Sequence, residues 1–148
     1  MYHGLFVSQG NGRGVKIIRQ DPYSFLFTRD LSPCIAIVII SCDVLAMIHS
    51  DSNGTNGVQG ISLQSGLIRF NLSSCKQYSV YLFGGSSDPS NPGISMKFDI
   101  VKKILPNARL LNVYAGAHNA YASTSEICAQ TKQKFAYAMG INVEDITI

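Results

Sequence analysis

Apolar residues in this chain fall into short runs bounded by Gly, Pro, Asn, Asp and Ser. Cys34–Ile40 and Val44–His49 are the densest. A run with no polar face predicts a strand covered on both sides, at the centre of a layered fold. Val15–Arg19, Tyr23–Thr28, Gln77–Phe83 and Ala108–Tyr114 read as further strands, and Ile141–Ile148 as a last one. Val58–Asn71 alternates in part, which predicts one or two strands around Ser65-Gly66. Ile94, Phe98, Val101, Ile104 and Leu105 recur at helical spacing, and Pro106 stops that helix. Ser123 or Ser125 caps a second helix that runs through Met139 and ends at Gly140. Residues 10–14 read as a flexible turn, because no helix follows the glycines as a nucleotide loop requires. Ser50–Gly57 and Ser86–Gly93 read as polar surface loops. The pattern predicts one α+β domain over residues 1–148: two packed mixed β-sheets, a β-sandwich core, flanked by α-helices.

The two densest runs also carry candidate chemistry. If they form an antiparallel hairpin, facing residues have indices of constant sum. A two-residue loop at Ser41-Cys42 sets Cys34 opposite His49. A four-residue loop from Ser41 to Val44 sets Ala36 opposite His49, with Cys34 one step diagonal. Side chains alternate faces, so Cys34 and His49 share a face in both registers. A three-residue loop would separate them. A cysteine activated by a nearby base is a nucleophile. The plainer reading is that a cysteine leading into such a run is core, where thiols often serve as small hydrophobes.

Composition narrows the function classes. Apolar residues make up 46% of the chain and charged residues 14%, against a usual charged share of about 25%. The net charge of +3 comes with no basic run or basic–aromatic stripe, so a nucleic-acid partner is not expected. Lys16/Arg19 and Lys102/Lys103 read as solvated faces. No apolar run is long enough for a membrane span, and the N-terminal residues lack the pattern of a secretory signal. Cys34, Cys42, Cys75 and Cys128 form no Cys-x-x-Cys pair. Structural zinc is therefore not expected, and reduced thiols fit a protein acting in a cytosol.

Thr28, Cys34 six positions on, and His49 at the end of the next apolar run resemble the Cys–His–Thr site of the chemoreceptor glutamine deamidase CheD. Leu31-Ser32-Pro33-Cys34 is similar to the Leu-Ser-Gly-Cys signature of the cytotoxic necrotizing factor catalytic domain and of Burkholderia lethal factor. Val80-Tyr-Leu-Phe-Gly-Gly and Val113-Tyr-Ala-Gly-Ala look like the strand-to-glycine turns of these proteins, and Glu126–Ile141 resembles the helix near the CheD C-terminus. The resemblance implies a shared fold and deamidation of glutamine side chains in target proteins. Two departures stand out. Pro33 replaces the toxins' glycine, so any use of that glycine's N–H must differ here. His49 is followed by Ser-Asp-Ser-Asn-Gly and not by the apolar, proline-ended run usual in CheD, which points to another substrate.

On this reading Cys34 is the nucleophile, His49 the base, and Thr28 the group that orients the histidine or the substrate. A base needs its second nitrogen fixed, so a third polar partner is expected physically as well. No metal or organic cofactor is required. The partner is a protein carrying a reactive glutamine, with neither nucleic acid nor membrane involved, and the setting is a cytosol, the protein's own or that of a host reached by a secreted effector or toxin. His118, in a glycine turn, competes as base; His3 stands near a terminus expected to be mobile. Cys42 falls in the hairpin turn, and Cys75 and Cys128 lack a neighbouring base. Asp30 and Asp43 read as solvated turn residues. The alternatives are transamidation or peptide cleavage by the same chemistry, a non-catalytic binding module, and a zinc-dependent laccase-like relative that needs two histidines and a cysteine converging.

Overall fold

A computed structural model describes residues 1–8, 14–18, 21–31, 34–50, 67–68, 71–72, 76–85 and 93–148, with the backbone alone at 14–18. The glycine-rich stretch 10–13, Arg19, Ser32-Pro33, nearly all of the two polar loops and Cys75 lie outside the described residues. So does most of the 58–71 segment. Its residues 67 and 68 are helical, which corrects the strand expected there.

The strands are β1 (Tyr2–Phe6), β2 (Gly14–Ile18), β3 (Ser24–Thr28), β4 (Ile35–Ile40), β5 (Val44–Ser50), β6 (Tyr78–Gly84), β7 (Ala108–Ala115), β8 (Ala120–Ser123), β9 (Cys128–Ala129) and β10 (Ile146–Thr147). The helices are α1 (Gly93–Ile104) and α2 (Lys132–Met139), with a 3-10 turn at Val143–Asp145. One sheet runs β10-β1-β3-β8-β9 and the other β2-β5-β4-β6-β7. Each mixes parallel and antiparallel pairs. The fold is α+β with two packed mixed sheets.

The layering follows from side-chain parity. Every residue of β4 is buried, as its composition predicts. Ile35, Ile37 and Ile39 share one cluster with Val101 and Leu105, on the α1 side. Cys34, Ala36, Val38 and Ile40 share another with Leu26 of β3 and Ala122 of β8, between the sheets. Phe25 and Phe27 point the other way from Leu26 and pack against Phe135 and Ala136 of α2. The order is therefore α1, β4-containing sheet, β3-containing sheet, α2. Ile37 and Ile39 are completely buried, so truncating either to Ala would cost about 2–5 kcal/mol.

The β4–β5 hairpin adopts the four-residue register: Ala36 faces His49 and Ile40 faces Leu45, with Ser41 N–H donating to Val44 O at 2.9 Å. The turn is held by Asp43, whose carboxylate accepts from Ser41 Oγ at 2.6 Å and from Lys76 Nζ. Asp43 thus joins a local charge pair, whereas Asp30 is an exposed turn residue with φ 58°, a conformation Asp tolerates. β6, α1 and β7 form a parallel crossover unit, with a register shift between Val80 and Tyr81. Lys102 Nζ caps the end of α1 through Pro106 O at 2.8 Å and Ala108 O at 3.2 Å.

Three expectations are corrected. The N-terminal residues are strand, where none was expected: Tyr2–Phe6 is internal and paired with both β3 and β10. The second helix does not begin at Ser123 or Ser125. Those residues belong to the β8–β9 hairpin, and α2 starts after Thr131, whose Oγ1 accepts from Lys134 N at 3.1 Å. Ala120 and Ala122 carry little strand propensity, and Ser123-Thr-Ser125 imitates a helix cap. Gly140 does end the helix, at φ 72°. The last strand is shortened to Ile146–Thr147 by the preceding 3-10 turn.

Candidate active site

Thr28, Cys34 and His49 meet at one end of the inter-sheet layer. Thr28 closes β3 and faces inward with Leu26. His49 shares its face of β5 with Leu45 and Met47, which line the same layer. Cys34 immediately precedes β4, diagonal to His49 on that face. Diagonal neighbours across an antiparallel pair lie about 7–8 Å apart at Cα, within reach of an imidazole. Thr28, Cys34 and His49 are 0%, 5% and 1% exposed.

The hydrogen bonds fix the state of the histidine. Thr28 Oγ1 lies 2.7 Å from Val7 O and 2.7 Å from His49 Nδ1. A carbonyl only accepts, so the single hydroxyl proton of Thr28 goes to Val7 O. Thr28 Oγ1 must then accept from His49, which puts the proton on Nδ1 and leaves the Nε2 lone pair as the basic site. The apolar layer around the pair opposes any lone charge. A thiolate there is favoured only together with an imidazolium.

The cysteine backbone is clamped from the neighbouring strand. Gly85 N–H donates to Cys34 O at 2.8 Å. Gly84 has φ 97°, and a Cβ there would stand 2.4 Å from Cys34 O and 2.9 Å from Leu31 Cβ. Only glycine fits. Gly84 O in turn accepts from Gly116 N at 3.1 Å, and His118 O accepts from Leu31 N at 3.0 Å. The Gly84-Gly85 and Gly116–His118 turns thus brace both sides of the segment that presents Cys34. Beside it, Ala36 is the small residue between His49 and Phe83. Phe83 stacks on Tyr114 with centroids 4.4 Å apart.

The remaining candidates lie elsewhere. His118 is exposed and reaches the site's frame through its carbonyl. His3 pairs with Ser24, at the opposite end of β3 from Thr28. Cys42 is exposed in the hairpin turn, at the far end of β4. Burial, and then the nearby Glu126 carboxylate, push the Cys128 thiol well above its ordinary range. Burial likewise pushes the Tyr81 phenol up to about 12. Among the described residues no three His, Cys, Asp or Glu side chains converge as a metal site. No described helix is long and apolar enough to cross a membrane. Two parts of the site carry no side-chain signal in the sequence: the Val7 carbonyl, and the close approach that demands Gly84.

No protein-family model matches the chain, and no curated protein does either.

Proposed function

We propose that the chain is a cysteine hydrolase that deamidates a glutamine side chain of a target protein, acting as an effector or toxin. The observation that carries this reading is the Val7–Thr28–His49 hydrogen-bond relay, which leaves His49 Nε2 as a base on the face shared with Cys34. A buried structural histidine would also need its ring N–H satisfied; what supports catalysis is that this bond leaves the other nitrogen on the face that carries Cys34. The resemblance of Thr28, Cys34 and His49 to the CheD and necrotizing-factor sites supports the same roles.

In the proposed reaction His49 Nε2 takes the Cys34 proton, and the sulfur attacks the glutamine carboxamide carbon. The C–N bond then breaks as His49 returns the proton to the departing ammonia, leaving a thioester. Water, deprotonated by His49, cleaves the C–S bond and regenerates the thiol, and the product is glutamate. Thr28 holds the imidazolium formed in both halves. The Gly85 N–H is already engaged by Cys34 O, so other donors hold the oxyanion.

The deep burial of Cys34 favours a second reading, a binding module on the same fold. The rate of Cys34 alkylation by iodoacetamide against pH separates the two. Fast labelling near neutral pH that collapses in His49→Ala is expected of the hydrolase, and mass spectrometry of treated host proteins would then locate glutamines converted to glutamate. Slow labelling, or labelling indifferent to His49, would leave the binding module.

A further inference from the structure

We propose that the target protein docks through an acidic segment, with a carboxylate side chain seated in a cleft between the Gly116–Asn119 turn and the start of α2. The proposal rests on the deamidase reading and names the chemistry that would bring a glutamine to Cys34.

The cleft has a volume of about 180 Å³ and is lined by Gly116, Ala117, His118, Asn119, Gln130 and Thr131. Small-molecule sites usually have about 300–1,000 Å³, so this one suits a side chain or a short backbone stretch. Its lining offers amides, a hydroxyl and an imidazole, and no acid. It adjoins the site directly, since the same turn is hydrogen-bonded to Leu31 and Gly84 on either side of Cys34.

Charge around the cleft is mostly positive. Among the described residues of the β3-containing sheet and α2, the side-chain cations are Arg29, Lys132 and Lys134. All three stand at the Cys34 end. Arg29 follows Thr28, and the β3–β8 register (Thr28 with Ala120) puts it beside Asn119. Its guanidinium is held over the Phe27 and Phe6 rings, 5.2 and 5.8 Å from their centroids. Phe6 is 53% exposed, so a fixed cation on an apolar shelf faces any docking partner. Lys132 and Lys134 lie in the first turn of α2, which contains no acid. The acids of this half collect at the other end of the sheet: Asp21 before β3, Glu126 in the β8–β9 turn, Glu144 and Asp145 before β10. Only Asp30 stands among the cations. A sheet polarised in this way orients an acidic partner with its negative surface toward Cys34.

The test is protection of Cys34 from iodoacetamide by two acetylated pentapeptide amides, each with a central glutamine. One has two glutamates on either side, the other two lysines. The acidic peptide should protect at roughly tenfold lower concentration, as expected for a few exposed charge contacts, and this advantage should vanish in Lys132→Glu/Lys134→Glu. Acids in a first helical turn favour the helix, so that variant should fold, and its Cys34 should label at the native rate without peptide. Equal protection by both peptides, protection by neither at millimolar concentration, or an advantage that survives the charge reversal would each overturn the docking proposal. Failure of Cys34 to label without any peptide would instead overturn the deamidase reading itself.

Discussion

Thr28 Oγ1 stands 2.7 Å from His49 Nδ1, and the two residues belong to different sheets. The bond closes the end of the sandwich and, with Val7 O taking the hydroxyl proton, selects the histidine tautomer. In Thr28→Val the shape is retained and the acceptor lost. A hydrogen bond to a charged partner is worth about 1.5–3 kcal/mol, or ~10–100-fold in rate. Cys34 alkylation near neutral pH should fall by that factor, while Thr28→Ser keeps most of it. Equal rates in the two variants would show that the hydroxyl plays no part.

Thiol reactivity should differ among the cysteines. Cys128 has its thiol pushed up by burial and by Glu126, so it should stay unmodified at neutral pH. Peptide mapping after brief iodoacetamide treatment should find label at Cys34 and at exposed Cys42, with Cys128 reacting only in strong alkali or after unfolding. Early label at Cys128 would mean that its surroundings are more open than described.

Gly84→Ala places a methyl group against Cys34 O and forces alanine to φ 97°. Backbone strain of this kind costs about 1–3 kcal/mol, and the clash adds to it. Urea unfolding should show at least ~2 kcal/mol of lost stability, together with lost Cys34 reactivity. A neutral substitution would contradict the clamp.

The hairpin turn carries a pH signature. Lys76, then Ser41, hold the Asp43 carboxyl below its ordinary 3.8, and Asp43 holds the Lys76 ammonium above its ordinary 10.5. A depressed acid stabilises the fold above its unfolded value and loses that as pH falls through the folded one. A raised base stabilises below its unfolded value and loses that as pH rises through the folded one. Both side chains are exposed, so the effect is small. The Tm difference between the native protein and Lys76→Ala should be greatest between these limits and vanish beyond both.

How much was legible in the sequence depended on whether side chains announced it. The apolar run of β4 and the facing of Cys34 and His49 followed from parity, and hairpin arithmetic named the observed register as one of two. The α1 boundary followed from Phe98, Val101 and Pro106. The β8–β9 hairpin did not, because Ala120 and Ala122 are small and the neighbouring serines suggest a cap. β1 is not legible, because Gly4 interrupts its pattern and its pairing is wholly non-local. A Cβ at Gly4 would stand 2.8 Å from the Phe25 ring, a demand of packing invisible to periodicity. For the site, Thr28 entered through resemblance alone. The Val7 carbonyl that settles its proton is backbone, and any residue could have supplied it.

The pairing of Thr28 from one sheet with His49 from the other makes the proposed chemistry a property of the closed sandwich. Each sheet could hold its own strands and still lack a working base. A chain unfolded for passage between compartments would therefore carry an ordinary thiol without its base, and the enhanced reactivity proposed for Cys34 would appear only when the layers dock. In mild denaturant at neutral pH, Cys34 labelling should fall to the rate of an ordinary exposed thiol as the near-ultraviolet dichroism is lost while the backbone signal persists. The thiol would then report the last step of folding, the closing of one sheet upon the other.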